Sequence, residues 1–312
     1  MIISASRRTD IPCFYSEWFM ERIRAGYVLV RNPMNASQVS RIVLNPEVVD
    51  CIVFWTKDAG NIMHKLAALD ELGYRYCFQY TVTPYGNDLE RYLRPKKEIL
   101  ENFKDLSVRL GKNRVIWRYD PIIISERYPV SYHKETFAAM CEELSGYTDR
   151  VIISFVDYYR KIQDKEIREI PIPVMRECAK EIGKAAADSH IRAQSCGEIV
   201  DLEDCGILKG ACIDRRVLEE VCGCRLDLKK AKGQREACQC VESIDIGAYN
   251  TCLNGCVYCY ANFSESSIQA NRKKHDKNSE LLLGTRRDAD KIYERRQKSC
   301  RICQETFCRR ED

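Results

Sequence analysis

The sequence predicts an α/β protein, a partial (βα)6 TIM-like barrel followed by a C-terminal cysteine-rich, metal-binding extension. Three observations lead there. Six short apolar segments alternate with helix-length amphipathic ones, polar residues follow every one of the six, and thirteen of the eighteen cysteines lie from Cys196 onward. The expected organisation is a barrel over 1–195, a cluster-binding segment over 196–262, and a polar linker with a helical tail over 263–312.

The six segments are "MIISA" (1–5), "CIVFW" (51–55), "YRYCFQYTV" (74–82), "RVIWRY" (114–119), "VIISFV" (151–156) and "HIRAQS" (190–195). They are rich in β-branched residues and nearly continuous in hydrophobicity, as strands covered on both faces are. Between them "YSEWFMERIRAGY", "AGNIMHKLAALDELG", "KKEILENFKDLSVRLG", "SYHKETFAAMCEELSG" and "PVMRECAKEIGKAAADS" carry helical periodicity, with Gly26, Gly73, Gly111 and Gly146 placed as C-caps. Such alternation requires a parallel sheet, either doubly wound or a partial barrel.

The strand ends select the barrel. Arg7, Arg8 and Asp10 follow the first strand, Lys57 and Asp58 the second, Thr81 and Thr83 end the third, Arg118 and Asp120 the fourth, Asp157, Tyr158 and Lys161 the fifth, and Cys196 and Glu198 the sixth. A barrel gathers all such ends at one mouth. A doubly wound sheet concentrates function at a single switch point.

Composition bounds the class. With 312 residues, 45% of them hydrophobic, the chain can bury a full core. Its longest apolar runs are too short to span a bilayer and no leader pattern opens it, so a cytoplasmic protein without a membrane partner is expected. A net charge of +4, with basic clusters interleaved with acids, argues against a nucleic-acid partner. In a reducing compartment, dense cysteine reads as metal ligation rather than as disulfides.

The stretch "TCLNGCVYCYANF" (251–263) sets Cys252, Cys256 and Cys259 in a CxxxCxxC pattern. Three thiolates hold three irons of a 4Fe-4S cluster and leave the fourth iron open, whereas structural zinc must recruit a fourth thiol such as Cys240. Cys51, Cys77 and Cys141 lie on apolar faces and read as small core residues. Cys300, Cys303 and Cys308, in a polar tail, read as reduced surface thiols.

CxxxCxxC with an aromatic directly before its third cysteine resembles the cluster motif of radical S-adenosylmethionine enzymes. That resemblance implies a partial six-stranded barrel and an open iron that binds the amino and carboxylate groups of S-adenosylmethionine. It further implies an electron from the cluster that cleaves the sulfonium to a 5'-deoxyadenosyl radical, and a flavodoxin or ferredoxin as reductant. The substrate would be a small molecule or a peptide. Tyr258 would lie near the adenine. Arg7, Arg8 and Arg118 would hold a carboxylate of cofactor or substrate. Asp120 or Asp157 would accept from the ribose hydroxyls, and Lys57 would either join the cofactor site or form an ion pair with Asp58. Cys13, after "RRTDIP", would face the mouth and donate a hydrogen atom. In that superfamily the cysteine loop follows the first strand; here it comes late, so it is expected to fold back over the mouth.

More narrowly, "SASRRTDIP", "FWTKD", "RYDPI", "CID", "YCYAN" and "LLLG" together resemble an uncharacterised family catalogued as domain-of-unknown-function 1848. Cys196, Cys212, Cys238 and Cys240 coincide with motifs of that family and are candidates for a second iron-sulfur cluster or a zinc, with Cys205, Cys222 and Cys224 competing as ligands. Two other functional classes remain open from sequence. One is a non-catalytic iron-sulfur electron carrier; the other is a zinc-stabilised nucleic-acid-binding module.

Overall fold

The computed structural model describes residues 1–157, 167–294 and 297–302. Its strands are β1 (Ile2–Ala5), β2 (Tyr27–Asn32), β3 (Asn35–Val43), β4 (Cys51–Thr56), β5 (Tyr76–Thr81), β6 (Val115–Ile122), β7 (Arg150–Phe155), β8 (Arg192–Ser195), β9 (Leu208–Lys209), β10 (Ile244–Asp245) and β11 (Lys291–Glu294). Its α-helices are α1 (Ile11–Phe14), α2 (Ser16–Ala25), α3 (Gly60–Met63), α4 (Leu66–Glu71), α5 (Lys96–Leu110), α6 (Val130–Leu144), α7 (Ile172–Asp188), α8 (Arg215–Cys222) and α9 (Glu265–Lys274).

Eight strands form one parallel sheet in the order β10-β1-β4-β5-β6-β7-β8-β9. Its six central members are the six segments read from the sequence, in chain order. Side chains alternate between two cores, as the two-residue strand period demands. Phe54, Phe78, Trp117, Ile153 and Ala193 point to a face covered by α2 through α7, which contribute Phe19, Leu66, Phe103, Phe137 and Ile182. Ile2, Val53, Cys77, Ile116 and Ile152 point to the other face, where residues 211–241 supply Ile213, Leu218, Leu228 and Val241. The central strands read as continuously apolar because a helical layer packs on one side and the cysteine-rich segment on the other.

The sheet is not closed: β9 and β10 remain its outer strands, so the structure shows an α/β fold with an eight-stranded parallel sheet rather than a TIM barrel. A second sheet joins β2 and β3 as an antiparallel hairpin, with β11 parallel to β3. The expected helical tail at "ADKIYERRQKS" is corrected here. Lys291–Glu294 is a strand registered on Gln38–Arg41, because backbone pairing with β3, anchored beside it by the Arg31–Asp290 ion pair, outweighs the local helical pattern. Residues expected as a mobile linker form α9, whose N-cap Ser264 accepts a hydrogen bond from Ser267 N. Among the described residues no helix is long and apolar enough to cross a membrane.

Candidate metal centre

The CxxxCxxC loop is held by its own backbone and by the chain beneath it. Asn250, at a positive φ of 54°, donates its N–H to Ala261 O at 2.9 Å, and its side-chain oxygen accepts from Phe263 N, which closes the loop at its base. Gly255 takes φ 68°, a left-handed turn that lets Asn254 and Cys256 both face the loop over residues 84–92. There Val257 N donates to Leu89 O at 3.0 Å and Tyr92 N to Asn254 O at 3.2 Å. Beneath, the Tyr258 hydroxyl donates to Glu90, which also receives Lys57 Nζ at 2.7 Å, Thr83 Oγ1 at 2.6 Å and Lys96 Nζ. Burial works against that carboxylate's charge, yet Lys57 and Lys96 hold its pKa down at about 2.

Burial raises all three thiols of the loop, Cys252 furthest and Cys256 to about 12, where Lys57 partly offsets the effect. Half-buried thiols whose pKa is raised in this way become thiolates when a cation takes the charge, which is what a metal supplies.

The second thiol group gathers at the end of β8. Cys196 Sγ lies 3.9 Å from Cys240 Sγ, and Cys212 lines the same wall. Among the described residues, Cys196, Cys238 and Cys240 are the one set of three ligand atoms lying within 4.8 Å of one another. Interaction with Cys196 and Cys240 lowers the pKa of Cys238, while the neighbouring thiols push Cys196 up. Arg118 donates to Cys212 Sγ at 2.6 Å and to Asp120, and its guanidinium stands 5.0 Å from the Trp55 ring. The competing ligands lie elsewhere: Cys205 Sγ donates to Arg176 O, and Cys222 Sγ donates to Asp50 O at 3.2 Å.

Both thiol groups line one cavity of about 440 Å³. Arg7, Arg8, Lys57, Arg118, Asp120, Asp157, Tyr258, Cys196, Cys212, Cys238, Cys240, Cys252, Cys256 and Cys259 all contribute to its wall. Ends of β1, β4, β6, β7 and β8 thus converge on the cysteine loop.

Several of these residues are already engaged. Lys57 is paired with Glu90, while Asp58 pairs with Arg94 at 2.6 Å, so the expected Lys57–Asp58 pair does not form. Asp120 accepts from Arg118 and Ser154, and Asp157 is paired with Arg235. Arg7 Nη2 is buried without a hydrogen-bond partner among the described residues. Arg8 stands 5.1 Å from the Tyr249 ring.

Cys13 is corrected: it does not line the cavity. Asp10 caps α1 through Cys13 N at 3.0 Å, and this turn directs the thiol into the packing, where burial raises its pKa. Tyr158, Lys161, Cys303 and Cys308 lie outside the described residues. Cys300 N donates to Asp50 at 2.7 Å.

Sequence reasoning passed over Glu90, Trp55, Asp245, Gln234 and Tyr260. Asp245, on β10, receives Ser4 Oγ at 2.9 Å, Ser6 Oγ at 2.7 Å and Arg7 N at 2.8 Å, and so fixes the turn that aims Arg7. A lone carboxylate in "SIDIG" gave no sign of partners some 240 positions upstream.

A family profile described as a domain of unknown function, DUF1848, matches residues 2–261. The chain belongs to the DUF1848 family. No curated protein and no solved structure matches it. The DUF1848 match takes in both thiol groups and every cavity residue named above, and stops before α9 and β11.

Proposed function

We propose that this chain is a radical S-adenosylmethionine-type enzyme whose sheet is a partial barrel. The observation that carries the reading is the shared cavity, in which a three-thiol loop faces charged residues from successive strand ends. The barrel reading is supported by helices α2 through α7 contributing to one core on one side of a sheet whose central strands run in chain order, since a doubly wound sheet carries helices on both sides.

The residues fit a 4Fe-4S cluster. Among the described residues, Cys252, Cys256 and Cys259 are not drawn together to single-ion spacing, they are partly exposed toward the cavity, and the loop offers three thiols rather than four. Cys252, Cys256 and Cys259 would hold such a cluster, which would supply the electron for reductive cleavage of the S-adenosylmethionine sulfonium. Arg7, with an unpartnered buried donor, is the residue best prepared to take a carboxylate, and Arg8 stands beside it. Tyr258 is held rigid by Glu90 and closes the cavity wall on the cysteine side. Asp120, with both oxygens occupied, positions Arg118 rather than a ribose. The reductant is a flavodoxin or a ferredoxin, and the substrate a small molecule or a peptide.

The test is anaerobic purification with iron and sulfide analysis, followed by reduction with S-adenosylmethionine and assay of 5'-deoxyadenosine. Formation of 5'-deoxyadenosine that disappears in Cys256→Ala supports the reading. Iron-loaded protein that makes none and shows no spectral response to S-adenosylmethionine overturns it.

A further inference from the structure

We infer that Cys196, Cys212, Cys238 and Cys240 together hold a single tetrahedral ion of the zinc class rather than a second iron-sulfur cluster. The inference is independent of what the Cys252 loop binds.

Sulfur spacing carries it. A zinc ion holds thiolates at about 2.3 Å in a tetrahedron, which sets neighbouring sulfurs about 3.8 Å apart. Cys196 and Cys240 stand at 3.9 Å, and Cys238 lies within 4.8 Å of both. Those three thiols stand at single-ion spacing, and Cys212, which lines the same cavity beside them, is placed to supply the fourth corner. A four-iron cluster places each ligand sulfur on a different iron and keeps the sulfurs well apart. The Cys252 loop, which does not meet the single-ion spacing, supplies the contrast within the same cavity.

The surroundings complete a closed site. Cys212, Cys238 and Cys240 are buried and Cys196 is half-buried. Ile213 N lies 3.4 Å from Cys240 Sγ, so a backbone amide donates to one ligand. A divalent ion held by four thiolates leaves a net charge of minus two on the centre. Arg118, bonded to Cys212, and Arg7, whose charge acts on Cys240, bring two compensating positive charges. Arg118 is therefore a positioning residue for the metal ligands. Such an ion has no redox chemistry, so the four thiols would serve the structure of the cavity wall rather than electron transfer.

The test measures metal, not turnover. In the full chain carrying Cys252→Ala, Cys256→Ala and Cys259→Ala, about one zinc per chain without sulfide is expected. Iron with stoichiometric sulfide in that variant, or no bound metal in a folded protein, overturns the inference. Should the triple variant not fold, cobalt(II) loading of the otherwise native chain decides: an intense tetrahedral thiolate–cobalt spectrum is expected, and its shift in Cys212→Ser identifies the fourth ligand. An octahedral cobalt spectrum, or one unchanged by Cys212→Ser, counts against the four-thiol site. Arg118→Gln should weaken zinc roughly 10- to 100-fold in competition with a chromophoric chelator. Loss of 5'-deoxyadenosine formation with zinc intact would strike the radical reading and leave this one standing.

Discussion

Tyr258 donates its hydroxyl to Glu90, a carboxylate 168 positions upstream that Lys57 and Lys96 also share. This one acceptor ties the cysteine loop to the end of β5. Removing the charge from a buried, multiply paired carboxylate leaves two ammonium groups without their anion. Glu90→Gln is expected to cost about 3–5 kcal/mol and Tyr258→Phe about 1–3 kcal/mol. Urea unfolding measures both, and iron retention after anaerobic gel filtration should fall in the same order.

Gly255 supplies the left-handed turn of the cysteine loop, and a Cβ there would come within 2.5 Å of the Tyr92 ring. The left-handed backbone alone costs a substituted residue about 1–2 kcal/mol. Gly255→Ala should therefore lower both the melting temperature and the iron bound per chain, whereas alanine at the exposed Lys273 of α9 should change neither appreciably.

His133 is fully buried, with its Nε2–H donating to Ile123 O at 2.9 Å and its Nδ1 accepting from the Tyr119 hydroxyl at 2.7 Å. Burial holds its pKa below the ordinary 6.5, with the Ile123 bond acting against that shift. The folded chain thus resists a proton that the unfolded chain accepts. Its contribution to stability is complete above pH 6.5 and declines as pH falls through 6.5 toward the folded-state value, by at most about 1.4 kcal/mol per pH unit. Denaturant midpoints measured from pH 7.5 to 5.5 should decline more steeply in the parent chain than in His133→Gln.

Cys13 is packed away from the cavity, so Cys13→Ala should keep its iron and any 5'-deoxyadenosine formation, with a stability loss of about 1 kcal/mol. Cys256→Ala, measured beside it, should lose iron. A reversal of these two outcomes would return Cys13 to the site.

The six central strands were legible in the sequence because their apolar runs are local and bounded, and glycine C-caps mark the helices between them. The cavity residues were legible for a related reason: polar or charged residues at the ends of six apolar strands exceed what the chance composition of loops produces. What escaped was non-local. The strands Leu208–Lys209 and Ile244–Asp245 are two residues long and exist only through their neighbours. The hairpin of Tyr27–Val43 and its partner Lys291–Glu294 pair across most of the chain, and no periodicity in either segment announces the other. Cys212 could be singled out as a candidate ligand, yet its bond to Arg118 could not be read from positions 94 residues apart. With that bond in place, Arg118 is engaged with Cys212 and Asp120 in this structure.

The two shortest strands of the large sheet have a consequence for handling the protein. Leu208–Lys209 lies along β8 and Ile244–Asp245 along β1, at opposite margins of the sheet, and both belong to the stretch that carries the thiols. An unpaired sheet margin is a template for another chain. Oxidising or stripping the thiols would loosen that stretch and bare both margins at once, so that metal-depleted molecules would associate strand to strand. If the thiols hold metal as proposed, its occupancy would double as a guard against self-association, and purification that preserves the metal should also keep the chains from aggregating.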